Sequence, residues 1–172
     1  ILVSNKVAEK MFSMTNTVAQ GEVHRVGNPR MDSFVKIVTT PGFVPSLQRG
    51  AVLFSGAYRC WISGGTGWEY MDRMHIGFAR AASRNPNIVF TMKFKAGHQS
   101  SDYFAHLIQV LEGESLRNLD NLRFEFERPA MELVLHARLV VGILSTTILE
   151  SGLAGQHVIL PVFKEYQASE DW

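Results

Sequence analysis

The chain has 172 residues, 46% of them hydrophobic, and its 17 Lys and Arg residues nearly balance its 16 Asp and Glu residues. A chain of this length and composition can bury the core of one ordinary globular domain. Its formal net charge of +1 gives no broad basic footprint for nucleic acid, so no nucleic-acid partner is expected.

The single cysteine bears on the cellular compartment. Cys60 cannot form an intramolecular disulfide and has no partner for a cysteine-rich zinc site, which favours a reducing, cytoplasmic location. No apolar stretch approaches the roughly 18 residues that a membrane-spanning helix needs, and the first residues do not resemble a signal peptide. The chain opens with Ile1 and enters an apolar segment at once, so we expect it to be a piece of a longer protein.

The first 45 residues are predicted to form a separate unit. Residues 1–3 indicate the end of a buried strand, Asn5 is the predicted cap of a helix, 22–26 indicate a second strand and 31–37 a short helix. Two prolines and two glycines then fall within residues 39–50, the highest density of helix and strand breakers in the chain. We therefore place the domain boundary between residues 45 and 46, with a second domain over 46–172.

In the second domain, short apolar runs alternate with helical patterns. The runs predict strands at 51–54, 88–93, 122–126, 139–143 and 158–162. The helices are predicted over 67–83, from Ser101 or Asp102, from a first turn that contains Pro129, and between Ser145 and Gly155. Strands that are apolar on both faces and joined by helices require a parallel sheet covered on each side. The predicted fold class is α/β, a Rossmann-like doubly wound parallel sheet.

Ligands of such sheets bind beyond the carboxyl ends of the strands, and one strand end here carries an anion-site pattern. Ser145, Thr146 and Thr147 follow the fourth strand at a helix start, where free backbone N–H groups and the helix dipole favour a phosphate. Glu150 lies one turn further on and can accept two hydrogen bonds from a ribose diol. The alternative is a plain helix cap with a nearby acidic residue, which stabilises a helix by about 0.5–2 kcal/mol and requires no ligand.

Two further segments carry groups that suit a diphosphate. Lys93, Lys95 and His98 follow the second strand, where cations can neutralise a diphosphate. The alternative interpretation is that these lysines are simply solvated at the end of a strand, and it fits Lys95 better than Lys93. The glycine-rich loop that contains Gly65 and Thr66 can bring backbone amides close to a phosphate.

Several established motifs are absent from the sequence. Neither the dinucleotide fingerprint G-x-G-x-x-G nor the P-loop occurs, so nicotinamide cofactors and ATP hydrolysis lack motif support and no cofactor is expected. The nucleophile elbow G-x-S-x-G is also absent. The six histidines show no metal-binding spacing, and no metal is expected. His75 and His106 are predicted to lie at the surface or boundary of their helices.

Three segments resemble one enzyme superfamily. Residues 139–155 read Leu-Val-Val-Gly-Ile-Leu-Ser-Thr-Thr-Ile-Leu-Glu-Ser-Gly-Leu-Ala-Gly. This stretch resembles the last nucleotide-binding segment of GT-B glycosyltransferases, in the branch of bacterial surface-polysaccharide transferases, CDP-glycerol glycerophosphotransferases and UDP-N-acetylglucosamine 2-epimerases. Residues 26–32 resemble the hinge by which these proteins leave their first domain. The turn 93–98 resembles the one that approaches the donor diphosphate.

The resemblance implies the C-terminal, donor-binding half of a GT-B fold, with residues 1–45 as the tail of the acceptor domain. It places Ser145, Thr146 and Thr147 on phosphate together with Lys93 or His98. It places Glu150 on ribose, and Glu127 and Arg128 near the base. The general base of the reaction would come from the acceptor domain, so no catalytic residue is assigned in this chain.

The implied reaction is transfer from a nucleotide-diphosphate sugar, or a CDP-linked donor, to a glycan or lipid-linked acceptor in polysaccharide biosynthesis. A lipid-linked acceptor leaves peripheral association with a membrane open. The alternatives are a non-hydrolysing UDP-N-acetylglucosamine 2-epimerase and a non-catalytic nucleotide-binding or regulatory module. The epimerases carry His-Arg-Arg-Glu-Asn after the first strand of this domain, whereas residues 54–59 read Phe-Ser-Gly-Ala-Tyr-Arg, which counts against epimerisation.

Overall fold

A computed structural model of the protein describes residues 2–3, 24–25, 31–43, 50–55, 68–143 and 146–161. The chain divides into two compact units, Ile1–Phe43 and Val44–Trp172. The predicted helix after Asn5 and half of the predicted breaker segment, residues 44–49, lie outside the described residues.

The first unit contains a two-stranded parallel sheet and one short helix. Strand β1 (Leu2–Val3) pairs with β2 (His24–Arg25), with Leu2 opposite His24. Helix α1 spans Asp32–Val38. Each element lies within one residue of the span predicted for it or inside that span.

The second unit alternates strands and helices. Its strands are β3 (Gly50–Phe54), β4 (Val89–Lys93), β5 (Leu122–Glu125), β6 (Leu139–Gly142) and β7 (His157–Ile159). Its helices are α2 (Glu69–Arg84), α3 (Asp102–Gly113), α4 (Ala130–His136) and α5 (Thr146–Leu153), and a single 3-10 turn spans His98–Ser100. All five strands are parallel, in the order β5-β4-β3-β6-β7. The predicted Rossmann-like α/β class is confirmed at this level.

The helix ends follow the capping residues in the sequence. The Ser101 hydroxyl accepts a hydrogen bond from the Phe104 backbone N–H at 3.2 Å, so this serine caps α3. Helix α4 begins directly after Pro129. Gly155 follows α5 with a φ of 72°, the left-handed conformation that glycine adopts without strain at a helix end.

One predicted strand is longer than the strand that forms. The last strand was expected over 158–162, but β7 ends at Ile159. Pro161 has no backbone N–H and cannot take part in a continuing ladder of hydrogen bonds, which accounts for the early end.

The main core lies between the sheet and helices α2 and α3. Phe78 of α2 meets Phe90 of β4 edge to face, with ring centroids 5.1 Å apart, and Leu53 and Leu107 are fully buried in the same cluster. Burial of such side chains contributes roughly 1.5–3 kcal/mol each. This layer fixes the positions of β3, β4 and β5, whose carboxyl ends carry several predicted site residues.

The opposite face of the sheet is apolar only in part. Val52, Thr91 and Arg123 lie side by side in register across β3, β4 and β5, and Lys93 pairs with Glu125 one row further. The prediction of strands apolar on both faces is therefore wrong for β5. Residues 122–126 alternate apolar and charged side chains, the pattern of a strand with one face open to water. Within the described ranges, no helix has the length and apolarity to span a bilayer.

Candidate functional site

The strand order defines a switch point in the sheet. From β3 the chain proceeds outward to β4 and β5, whereas β6 and β7 lie on the other side of β3. In open parallel sheets, ligands bind in the crevice outside the carboxyl ends of the two strands where this reversal occurs. Here those ends are Phe54, followed by Ser55, and Gly142.

A glycine allows α5 to pack closely against this switch point. A Cβ atom on Gly142 would lie 3.0 Å from Cδ1 of Ile148 and 3.6 Å from the carbonyl oxygen of Phe54. Ile148 belongs to the first turn of α5, so this contact sets the amino end of the helix against the ends of β3 and β6. The first turn of α5, which contains Thr146 and Thr147, therefore lies beside the switch point.

We expect Gly142→Ala to lower the free energy of unfolding by about 1 kcal/mol, because the new methyl group displaces Ile148. Ile148→Val removes the Cδ1 atom that the methyl group would meet. The cost of Gly142→Ala should therefore be smaller in the Ile148→Val background, measured by urea unfolding as a double-mutant cycle. Equal costs in both backgrounds would contradict the close packing of α5.

Ser55 places a buried polar group at the end of β3. Its side chain is only 5% exposed, and its hydroxyl has no hydrogen-bond partner among the described residues. Its backbone N–H donates to the Lys93 carbonyl at 2.8 Å, which continues the β3–β4 ladder by one residue. Buried hydroxyl groups are normally paired, so one without a partner at a switch point marks a place for a ligand acceptor or donor.

Glu150 is a second buried polar group, on the other side of the switch point. It is 6% exposed and shares the buried face of α5 with Thr147 and Ser151. Its carboxylate accepts no hydrogen bond within the part of the chain that the structure describes. Hydroxyl donors from a ligand can therefore bind this carboxylate without displacing a described partner.

Lys93 supplies a buried cation at the end of β4. It is 9% exposed, and its ammonium group donates to the carbonyl oxygen of Phe126 in the turn after β5. Burial lowers the pKa of Lys93, and the nearby carboxylates of Glu125 and Glu127 oppose that shift. The ammonium group has three donors, so it can hold this turn and still contact an anion.

The turn after β5 contains the residues predicted to lie near the base. A carboxylate oxygen of Glu125 accepts hydrogen bonds from the backbone N–H groups of Glu127 at 2.9 Å and Arg128 at 3.0 Å. The bond from Arg128 is the leading cause of the lowered pKa of Glu125. The guanidinium of Arg128 pairs with Glu132 at 2.6 and 3.1 Å. This turn is thus held in place at the carboxyl edge of the sheet.

Two other parts of the predicted site belong to the described residues: His98 and the first residues of α5. His98 opens the 3-10 turn after β4, and its Nδ1 atom is buried without a hydrogen-bond partner in the described ranges. Thr146 is exposed at the first position of α5, and Thr147 is buried. Ser145, Gly65 and Thr66 lie outside the described residues, so their predicted roles are not tested by the structure.

The structure adds one residue to the predicted set. Ser55 has no predicted site role from the sequence, where the missing G-x-S-x-G motif argues against a nucleophile at this position. Its position directly after the central strand β3 was the signal, but that signal depends on knowing the strand order. No group of three His, Cys, Asp or Glu residues in the described ranges is arranged to hold a metal ion.

The prediction that His75 lies at the surface of its helix is wrong. His75 is fully buried, with Nδ1 2.6 Å from the Met71 carbonyl oxygen and 3.0 Å from the Tyr103 hydroxyl, and its ring stacks on Phe94. Its position on the apolar face of α2 accounts for the burial. His106 is part-buried, 2.8 Å from a carboxylate oxygen of Asp72, at the helix boundary as predicted.

Comparison with known proteins adds no assignment. Neither a protein-family model nor a curated protein matches the chain. Any proposal about its function therefore rests on the fold, on the geometry at the switch point and on the residue pattern of 139–155.

Proposed function

We propose that this chain binds the nucleotide diphosphate of an activated donor, as the donor-binding domain of a GT-B-type glycosyltransferase. The observation that carries the proposal is the buried Ser55 hydroxyl, which has no described hydrogen-bond partner, at the switch point. Such groups are rare in native proteins unless a ligand or water completes their hydrogen bonding. Glu150, a mostly buried residue, lies on the other side of this point.

The charge distribution around the switch point suits a diphosphate. The amino end of α5 presents backbone N–H groups and the positive end of the helix dipole. Lys93 adds a cation at the end of β4, two strands away from β6. A diphosphate between them would meet positive potential from two elements, and the Ser55 hydroxyl would lie between the two.

The same arrangement suits the remainder of a nucleotide. The Glu150 carboxylate can accept two hydrogen bonds from a ribose diol, and it has no described hydrogen-bond partner to give up. The turn after β5, held by Glu125 and Lys93, lies two strands from β3 and offers an ordered edge for the base. Exposed Glu127 and Arg128 belong to this edge.

The proposed chemical contribution is stabilisation of the leaving group. When the bond between the transferred group and the nucleotide diphosphate breaks, negative charge grows on the diphosphate oxygens. Aligned amides and a buried cation stabilise that charge more strongly than water does, because they are already oriented. The resemblance assigns the acceptor and the general base to a partner domain, so this chain would bind donor and leaving group.

Isothermal titration with UDP, CDP and GDP tests the proposal directly. We expect saturable binding of at least one nucleotide, and Ser55→Ala should weaken it about tenfold, because a hydrogen bond to a charged phosphate is lost. Ser83→Ala, at an exposed position near the end of α2, is the matched control and should bind as the original chain does. No heat with any of the three nucleotides would overturn the proposal.

Incubation with UDP-N-acetylglucosamine in the absence of an acceptor separates transfer from epimerisation. A donor-binding domain should leave the sugar configuration unchanged. Formation of the 2-epimer would instead assign the chain to the epimerase alternative, with the same phosphate and ribose contacts.

A further inference from the structure

A cleft of about 260 Å³ lies on the face of the sheet opposite the main core. Its floor is formed by β3 and β4, including Val52, Val89 and Thr91, and α4 forms one wall with Leu133 and His136. Strand β5 forms the other wall. Parallel sheets usually bury both faces under helices, so an open, partly polar stretch of this face is a departure that calls for an explanation.

The charged groups of the cleft differ in whether they already have partners. The Glu125 carboxylate accepts two backbone hydrogen bonds from its own turn, and Arg128 pairs with Glu132. Arg123 forms no ion pair or side-chain hydrogen bond within the described part of the chain, and neither does His136. The guanidinium of Arg123 on one wall and the imidazole of His136 on the other are therefore available to bind a ligand.

We propose that this cleft binds a small organic oxyanion, a carboxylate or a phosphate monoester, with the oxyanion on Arg123 and His136. A guanidinium offers parallel N–H donors in the geometry of such groups. The apolar floor of Val52 and Val89 suits a compact apolar body, and the Thr91 hydroxyl adds one polar contact. The cleft is smaller than the usual range of ligand pockets, roughly 300–1,000 Å³, which favours a ligand below the size of a nucleotide sugar.

This site adjoins the proposed nucleotide site but has different anion-binding residues. The cleft extends from Gly50, at the amino end of β3, along the sheet face to Glu125 and Arg128 of the turn proposed to lie near the base. Ser55 and Glu150, which belong to the nucleotide site, do not line it. Arg123 is one row away from the Phe54–Lys93–Glu125 row at the carboxyl ends of β3, β4 and β5. Occupation of the cleft does not depend on the transferase proposal.

Titration of the 172-residue chain with phenyl phosphate and with benzoate, followed by amide chemical shifts, tests the proposal. We expect saturable chemical-shift changes at cleft residues for at least one anion. The anion that binds more tightly shows whether the cleft prefers a phosphate monoester or a carboxylate. Benzyl alcohol, which has the same ring without the charge, should bind at least about tenfold more weakly. Arg123→Gln should weaken anion binding about tenfold or more, and His136→Gln should weaken it less.

Arg84→Gln provides the matched control, because this arginine is exposed in the last turn of α2 and does not line the cleft. It should leave anion binding unchanged, and all three variants should keep the circular dichroism spectrum of the original chain. The proposal would be overturned if neither anion gave saturable shifts, or if Arg123→Gln bound the anion as tightly as the original chain does. Titration of Arg123→Gln with UDP separates the two sites, since nucleotide binding should survive the loss of the cleft ligand.

Discussion

Lowering the pH from 7 to 4 is expected to remove about 3 kcal/mol of the free energy of unfolding through His75 alone. Burial lowers the pKa of this histidine from 6.5 to about 4 in the folded protein, and the hydrogen bond to Met71 only partly opposes that shift. Between these two values the unfolded chain binds a proton that the folded chain does not. Stability is therefore complete above pH 6.5 and decreases as the pH falls towards 4.

The surroundings of the His75 ring explain why protonation is costly. The Met71 carbonyl can only accept a hydrogen bond, so Nδ1 carries the proton of the neutral ring. Protonation would add a second N–H at Nε2, which is buried and has no partner in the described ranges. Burial also raises the pKa of the neighbouring Tyr103 hydroxyl, with a smaller contribution from Asp72, so Tyr103 stays neutral and supplies no charge to balance an imidazolium.

Urea unfolding at pH 7 and at pH 4.5 measures this effect. His75→Gln is expected to lower stability at pH 7, because the side chain packs against Phe94, but to remove much of the decrease on acidification. His157→Gln, at an exposed position in β7, should leave both the stability and its pH dependence close to the original values. An equal pH-dependent loss in the original chain and in His75→Gln would contradict the assignment.

The order of helices and strands in the second unit was predictable because the signals are local. Apolar runs of four to six residues predicted all five strands, and capping by Ser101 and termination by Gly155 were readable from single residues. The open face of β5 could also be predicted, since residues 122–126 alternate in polarity, whereas all five strands were predicted to be apolar on both faces. His75 likewise belonged to the apolar stripe of α2 that the sequence identified.

The candidate site was predictable only where its residues follow a strand in sequence. Lys93, Thr146 and Glu150 were identified in that way. Strand order is set by packing between distant segments, so the switch point between β3 and β6, and with it Ser55, could not be located from local patterns. The contact of Lys93 with Phe126 likewise joins distant segments, whereas the pairing of Arg128 with Glu132 follows the i,i+4 spacing and could be predicted from the sequence.

Glu150→Gln is expected to weaken nucleotide binding with little change in stability. The substitution keeps the shape of the side chain, and the carboxylate accepts no hydrogen bond within the described part of the protein. No described contact is therefore lost, and the free energy of unfolding of the nucleotide-free chain should change by less than about 0.5 kcal/mol. A change confined to binding marks a group that serves a ligand rather than the fold.

Glu150→Gln should weaken nucleotide binding, because a carboxylate is a stronger hydrogen-bond acceptor than the amide that replaces it. Hydrogen bonds to an ionised acceptor are roughly twice as strong as neutral ones, so Glu150→Gln should weaken nucleotide binding about tenfold. Glu150→Ala removes the acceptor altogether and should weaken binding about a hundredfold. A 2′-deoxynucleotide should lose less affinity than the ribonucleotide on either substitution, since it presents one hydroxyl fewer to this residue.

Thermal unfolding and isothermal titration of the same samples separate the two effects. Glu112→Gln, at an exposed position in α3, removes an equal charge away from the switch point and should change neither quantity appreciably. A decrease in the stability of Glu150→Gln with nucleotide affinity unchanged would show that the carboxylate serves the packing of α5. Unchanged stability together with weaker binding of the ribonucleotide would show that the carboxylate serves the ligand rather than the fold.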